Sequence, residues 1–177
     1  MTKKELRKHI KWMKLTKIYG DLFSSCAKRK VGAIVISKDN RILATGYNGT
    51  PRGYLNCVDG GCERCNNGDI KTGEKLEQCF CIHAEKNAII NAAYNGVSIK
   101  NSILYVPLNC CITCAVEVAN SGINTIFFEG IYPSSLQSTV KLFATLGIKY
   151  YQLDAKAEKV YLYTPYEYLK TQIELEE

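Results

Sequence analysis

The chain has 177 residues, 46% of them hydrophobic and 23% charged, a size and balance that suit one domain able to bury a core without disulfides. Its longest apolar runs, 32–36 and 125–128, fall far short of a membrane span, and the charged opening Met1-Thr2-Lys3-Lys4-Glu5 lacks the apolar stretch of a signal peptide, so a cytoplasmic location is expected. The formal net charge of +6 suits an anionic partner such as a phosphate. It argues little for nucleic acid, because many lysines lie in the first 30 residues on the solvated side of a helical pattern and no basic stretch is interleaved with stacking aromatics.

In chain order, 4–25 reads as a helix whose face is mixed, with Leu6, Ile10, Met13, Lys14, Lys17 and Ile18 along it and Trp12, Leu15 and Leu22 nearby. Residues 31–37 read as a β-branched strand, Lys38-Asp39-Asn40 as a turn and 41–46 as the second strand of a hairpin. Three glycines and a proline make 46–53 a shaped loop. No helical or strand period runs through 54–82, which carries five cysteines; so long a loop in a compact domain needs something to tie it down. A helix is predicted over 83–93, closed by Asn95-Gly96, then a strand over 102–106. A helix over 111–120 ends at Ser121-Gly122, and 124–128 is a strand. Residues 133–146 form a helix stopped by Gly147, followed by a strand over 148–153. A strand-like segment over 159–163 and an amphipathic acidic helix over 165–175 complete the chain. A hairpin followed by alternating strands and helices predicts an α/β fold, a mixed sheet with helices on both faces. The whole chain reads as one domain, with a Cys-rich insert at about 54–82 and a C-terminal extension at about 154–177.

Nine cysteines in a reducing compartment are more often metal ligands than disulfides when they cluster. Cys26 stands apart and reads as a small buried residue. His83 begins one predicted helix; Cys111 and Cys114, three apart, share a face at the start of another. Two helix N-termini aimed at one point favour thiolates, and one imidazole with two thiolates leaves a tetrahedral zinc an open position, the ligand count of a catalytic site. Glu85, at the first turn beside His83, can reach a bound water without ligating the metal. His-x-Glu followed by Cys-x-x-Cys is the known signature of zinc-dependent deaminases.

From about residue 31 to 153 the chain resembles the deoxycytidylate (dCMP) deaminase family of the cytidine deaminase superfamily. The resemblance rests on Val31-Gly32-Ala33, on Gly46-Tyr47-Asn48-Gly49-Thr50-Pro51-Arg52-Gly53 and on His83-Ala84-Glu85-Lys86-Asn87-Ala88. It is closest to the subgroup with a Cys-rich insert before His-Ala-Glu. The resemblance implies a three-layer α/β/α fold around a mixed five-stranded sheet. It implies hydrolysis of dCMP to dUMP and ammonia, supplying dUMP for thymidylate synthesis, by a zinc-activated water with Glu85 as proton carrier. Asn48 would bind the sugar hydroxyl and the Ala84 backbone N–H the base carbonyl. A homo-oligomer, hexameric in many members, is implied too, as is regulation by dCTP and dTTP with a divalent ion such as Mg2+. Other substrates remain open: dCTP, free cytidine or deoxycytidine, or a polynucleotide. A catalytically silent zinc scaffold would have little need of Glu85.

The chain departs from the family pattern twice. Cys110 replaces the proline expected before Cys111, removing a preset φ and adding a rival thiol; the motif register favours Cys111 as the ligand. Phe23 stands where many relatives carry an arginine, so Arg29 or Arg52 would have to serve the phosphate in its place. Lys28, Lys30 and the segment 132–135, with Tyr132, are further phosphate candidates, and arginine suits such contacts best. In the insert, Cys57, Cys62 and Cys65 with Cys79 (or else Cys81) supply four thiolates for a closed structural zinc.

Overall fold

A computed structural model describes residues 1–71, 73–132, 135–164 and 170–176. Helix α1 (Lys3–Phe23) starts at a capping box. The Thr2 hydroxyl accepts the Glu5 N–H and the Glu5 carboxylate accepts the Thr2 N–H, which satisfies two of the free donors at a helix start. Its buried residues Leu6, Ile10, Met13 and Gly20 recur at helical spacing along one side. Strands β1 (Gly32–Ile36) and β2 (Ile42–Tyr47) form the predicted antiparallel hairpin. Its turn places Asn40 at φ 67°, a conformation asparagine tolerates better than most residues.

Three single-turn pieces interrupt the insert: 3₁₀ turns at Cys57–Asp59 and Leu76–Gln78, and α2 (Glu63–Asn66). After it come α3 (Ala84–Tyr94), β3 (Ile103–Tyr105), α4 (Ile112–Asn120), β4 (Thr125–Phe128), α5 (Leu136–Thr145), β5 (Lys149–Asp154), β6 (Lys159–Tyr163) and β7 (Lys170–Gln172). Gly96, at φ 64°, follows the first of these helices as predicted.

The strand order is β2-β1-β3-β4-β5-β6-β7. Only the β3–β4 and β4–β5 pairs are parallel; the others are antiparallel. The sheet is mixed as expected but has seven strands instead of five, because the C-terminal extension adds β6 and β7. The acidic helix predicted over 165–175 is corrected in the same place. Lys170–Gln172 is a strand paired with β6, and 165–169 lie outside the described residues, as do Pro133 and Ser134 of the predicted 133–146 helix.

Alternation along the strands builds two cores. Ala33, Val35, Leu104, Ile126 and Phe128 face α3, α4 and α5. Ile34, Ile36, Tyr105 and Phe127 face Leu6, Ile10 and Met13 of α1. Every residue of β1 is buried, as expected for a strand covered on both sides. The layers are therefore α/β/α, with α1, among the described residues, alone on one face. No helix among the described residues is long and apolar enough to cross a membrane.

Candidate active site

β2 and α3 approach so closely that a Cβ on Gly46 would lie 2.2 Å from the Ala84 carbonyl oxygen and 2.4 Å from the Ala88 nitrogen. Glycine is required there by the approach of two backbones, and that approach fixes where α3 begins. His83 is the N-cap of α3 and Cys111 the N-cap of α4, both with extended backbone. Cys114 follows on the first turn of α4. The three ligand atoms converge: His83 Nδ1 lies 3.4 Å from the Sγ of Cys111 and 3.4 Å from that of Cys114. A tetrahedral zinc with ordinary Zn–N and Zn–S bonds has an N···S edge of about 3.5 Å, so the trio fits that ion.

The Cys111 thiol is drawn down to about 4, first by its hydrogen bond with Cys114 and then, against the cost of burial, by His83. A thiolate is the form a metal needs. Glu85 is buried beside the trio, and burial raises its carboxyl above the usual range against the pull of His83.

Cys110 is not in the trio. It is fully buried in the core under the helices, and its N–H donates to the Tyr150 hydroxyl at 3.0 Å. That bond uses the one donor a proline would lack. The Cys110 carbonyl accepts from Ser135 and Thr139 of the α5 start.

The site opens into a cleft of about 580 Å3. Of the residues expected there, His83, Ala84, Glu85, Asn48, Arg29, Tyr132, Cys111 and Cys114 line it, as does Lys28. Ala84 opens α3, where backbone N–H groups have no partner within the helix. Asn48 is buried with its amide in use: Nδ2 donates to the Arg29 carbonyl at 2.7 Å, and Oδ1 accepts from Ser24 Oγ at 2.6 Å and the Val31 N–H at 2.8 Å. It braces the 24–31 loop against the cleft. The Arg29 guanidinium lies 5.8 Å from the Tyr132 ring centre, and the Tyr132 N–H donates to the Asn109 side chain.

Arg52 is a correction. It is absent from the cleft lining and sits 5.5 Å from the ring centre of Tyr94, an exposed residue at the end of α3. Phe23 likewise packs on Tyr19 and Tyr47. Residues unforeseen at the site include Lys86 and Glu117, joined at 2.7 Å. Each lies three residues beyond a ligand, so the pair ties the two ligand-bearing helices together one turn on. The i+3 spacing was the available signal.

The second ligand set is also corrected. Cys57, Cys62, Cys65 and Cys79 do not form one group. Two quartets occur instead: Cys26, Cys57, Cys65 and Cys81, and Cys62, Cys65, Cys79 and Cys81, each with all sulfurs within 4.8 Å. Cys57 is held on the Cys26 side, where its sulfur accepts the Ala27 N–H at 3.3 Å and Val58 N–H donates to Ser25. Cys26, expected to stand alone, is part of the cluster.

Comparison with known proteins places this geometry in a family. The sequence model of the "cytidine and deoxycytidylate deaminase zinc-binding region" matches residues 6–129. A deoxycytidylate deaminase of Schizosaccharomyces pombe is 40% identical over 126 residues, which is 71% of this chain and 38% of that protein. The chain likewise spans 38% of the Saccharomyces cerevisiae relative. The deoxycytidylate deaminase of Enterobacteria phage T4 is 34% identical over 163 residues, with 75% of this chain and 83% of that protein covered. The solved structure of dCMP deaminase from cyanophage S-TIM5 in complex with dCMP and dUMP superposes with a TM-score of 0.65 at 31% identity, over 80% of this chain and 93% of that one.

Proposed function

The chain belongs to the zinc-binding cytidine and deoxycytidylate deaminase family, and from that premise we propose that it hydrolyses dCMP to dUMP and ammonia. The observation that carries the reading is the convergence of His83, Cys111 and Cys114 at two helix starts with the buried Glu85 beside them. These three residues would hold the zinc and leave it a fourth position. When bound, zinc supplies a water acidified towards neutrality. Glu85 does the proton work: its carboxylate takes a proton from the attacking water, returns it to the ring nitrogen beside the amine-bearing carbon, and then helps protonate the departing amine. Burial, by raising its pKa, suits Glu85 to carry a proton between those atoms.

The Ala84 N–H at the helix start holds the base carbonyl. Asn48 meets the sugar hydroxyl while bracing the 24–31 loop. Lys28, Arg29 and Tyr132, which line the cleft, receive the phosphate. The reading includes a structural zinc in the cysteine-rich insert, a cytoplasmic homo-oligomer, and regulation by dCTP and dTTP with a divalent ion. The exposed apolar side chains of Leu15, Ile18, Leu22 and Phe23 on α1 support association with further copies.

The test follows ammonia release from dCMP, dCTP, deoxycytidine and a short single-stranded oligonucleotide. The expected result is turnover of dCMP ahead of the other three. Release from the oligonucleotide alone would overturn the reading.

A further inference from the structure

The cysteine-rich insert carries more sulfur than one closed zinc site uses. Six cysteines converge from separate stretches of chain: the loop after α1 (Cys26), a 3₁₀ turn (Cys57), the N-cap and body of α2 (Cys62 and Cys65) and the approach to His83 (Cys79 and Cys81). Their two quartets share Cys65 and Cys81. Their sulfur–sulfur separations include 4.0 Å for Cys26–Cys65, 3.9 Å for Cys65–Cys81, 3.9 Å for Cys62–Cys79 and 3.6 Å for Cys65–Cys79. A zinc held by four thiolates at ordinary Zn–S distances has S···S edges of about 3.8 Å. A disulfide needs about 2.05 Å, and all nine cysteines are free. The sulfurs therefore trace two tetrahedra with one common edge.

We propose that Cys26, Cys57, Cys62, Cys65, Cys79 and Cys81 hold a thiolate-bridged pair of zinc ions, with Cys65 and Cys81 binding both. This deepens the structural zinc of the proposed function and rests on the insert holding metal at all. Six-cysteine sites carrying two zincs are an established type of protein metal centre. A single ion in either quartet would leave two neighbouring thiols without a role, the buried Cys26 with Cys57 or the buried Cys62 with the half-buried Cys79. The bridged pair employs all six.

The surroundings suit it. Two divalent ions against six thiolates leave roughly two negative charges, and a buried cation stands next to them. Arg64 is 7% exposed. Its Nη1 lies 4.0 Å from Cys65 Sγ, its remaining donors go to the carbonyls of Glu74 and Lys71, and among the described residues no carboxylate pairs with it. Backbone N–H groups donate to Cys57 from Ala27 at 3.3 Å and to Cys62 from Phe80 at 3.4 Å, the outer contacts that orient metal-bound thiolates.

The cluster also has a place in the enzyme. Cys26, Cys65, Cys79 and Cys81 line the substrate cleft. Ile82, between Cys81 and His83, exchanges two backbone hydrogen bonds with Gly49. One metal centre thus fastens the strand that presents His83 and the loop that Asn48 braces.

The experiment counts metal in the purified full-length wild-type chain and then exchanges it for 113Cd. The expected result is three zincs per chain and, after exchange, two all-thiolate 113Cd resonances split by mutual coupling through the shared sulfurs. Cys26→Ser and Cys62→Ser each lose one zinc, and Cys65→Ser loses two. Two zincs per chain with a single unsplit thiolate resonance would overturn the bridged pair and leave a single structural zinc. One zinc per chain would overturn both. Iron with acid-labile sulfide would overturn the zinc assignment. None of these outcomes depends on which substrate is deaminated.

Discussion

At the scale of the residue, the division of labour between adjacent cysteines is the sharpest result. Cys111 and Cys110 are neighbours in sequence, yet one points to His83 and the other into the core under α4 and α5. The proline-free start of α4 allows this, since Cys110 contributes an N–H to Tyr150 that a proline could not. Cys111→Ser should therefore remove one equivalent of zinc and lower activity by at least about 100-fold, the scale of losing contacts at a metal centre. Cys110→Ser should keep both the metal and most of the activity. Zinc analysis of the two variants beside the ammonia assay decides between them, and loss of metal from the Cys110 variant alone would reverse the assignment. His83, Glu85, Cys111 and Cys114 were legible in the sequence because helix-start chemistry is local. Cys26 was not, because nothing within its own stretch of chain shows that residues 57–81 fold back onto it.

At the scale of the element, the ligand-bearing helices are aimed by backbone contact more than by side chains. Gly46 lets β2 lie against the first turn of α3, and the Lys86–Glu117 pair crosses to α4 one turn beyond the ligands. Gly46→Ala places a methyl on the Ala84 carbonyl. It should destabilise the fold by about 1–3 kcal/mol, as overpacking does, and lower kcat more than that loss alone explains, because His83 moves with the helix end. Denaturant unfolding and steady-state kinetics on the same preparation check it; a variant with unchanged stability and rate would show the approach to be unimportant. The helices and inner strands were legible from periodicity and from closing glycines. The end of the chain was misread because its alternating aromatic and aliphatic residues suit a helix face and a strand equally over so short a run. Pairing with β6, a tertiary fact, makes Lys170–Gln172 a strand.

At the scale of the whole molecule, α1 is, among the described residues, the only helix on its face of the sheet, and its seam contains a histidine. His9 is buried, bonded through Nδ1 to the Tyr105 hydroxyl at 2.6 Å and stacked on Phe127 at 4.1 Å. Desolvation lowers its pKa to about 4, so the folded protein holds it neutral while the unfolded chain takes up a proton near pH 6.5. The unfolded state binds more protons in that window. Stability should therefore be unaffected above about pH 6.5, fall as the pH drops from there to about 4, and level off below. The full effect is about 3 kcal/mol. Chemical denaturation across that range measures it, and His9→Phe should flatten the profile; an unchanged slope in the variant would assign the acid sensitivity elsewhere. The seven-strand order carries one more consequence, for how the chain reaches this state. Ile34 pairs with Thr45 across the hairpin on one side and with the distant Tyr105 on the other, so the β1–β3 seam closes only after the whole Cys-rich excursion and α3 have been gathered in. Such distant pairings are late and slow in refolding, although the entropic cost of a long loop grows only logarithmically with its length. The β1–β2 pairing is local and the β1–β3 pairing is not, so the arrival of β3 on the open edge of the hairpin is the step expected to limit refolding.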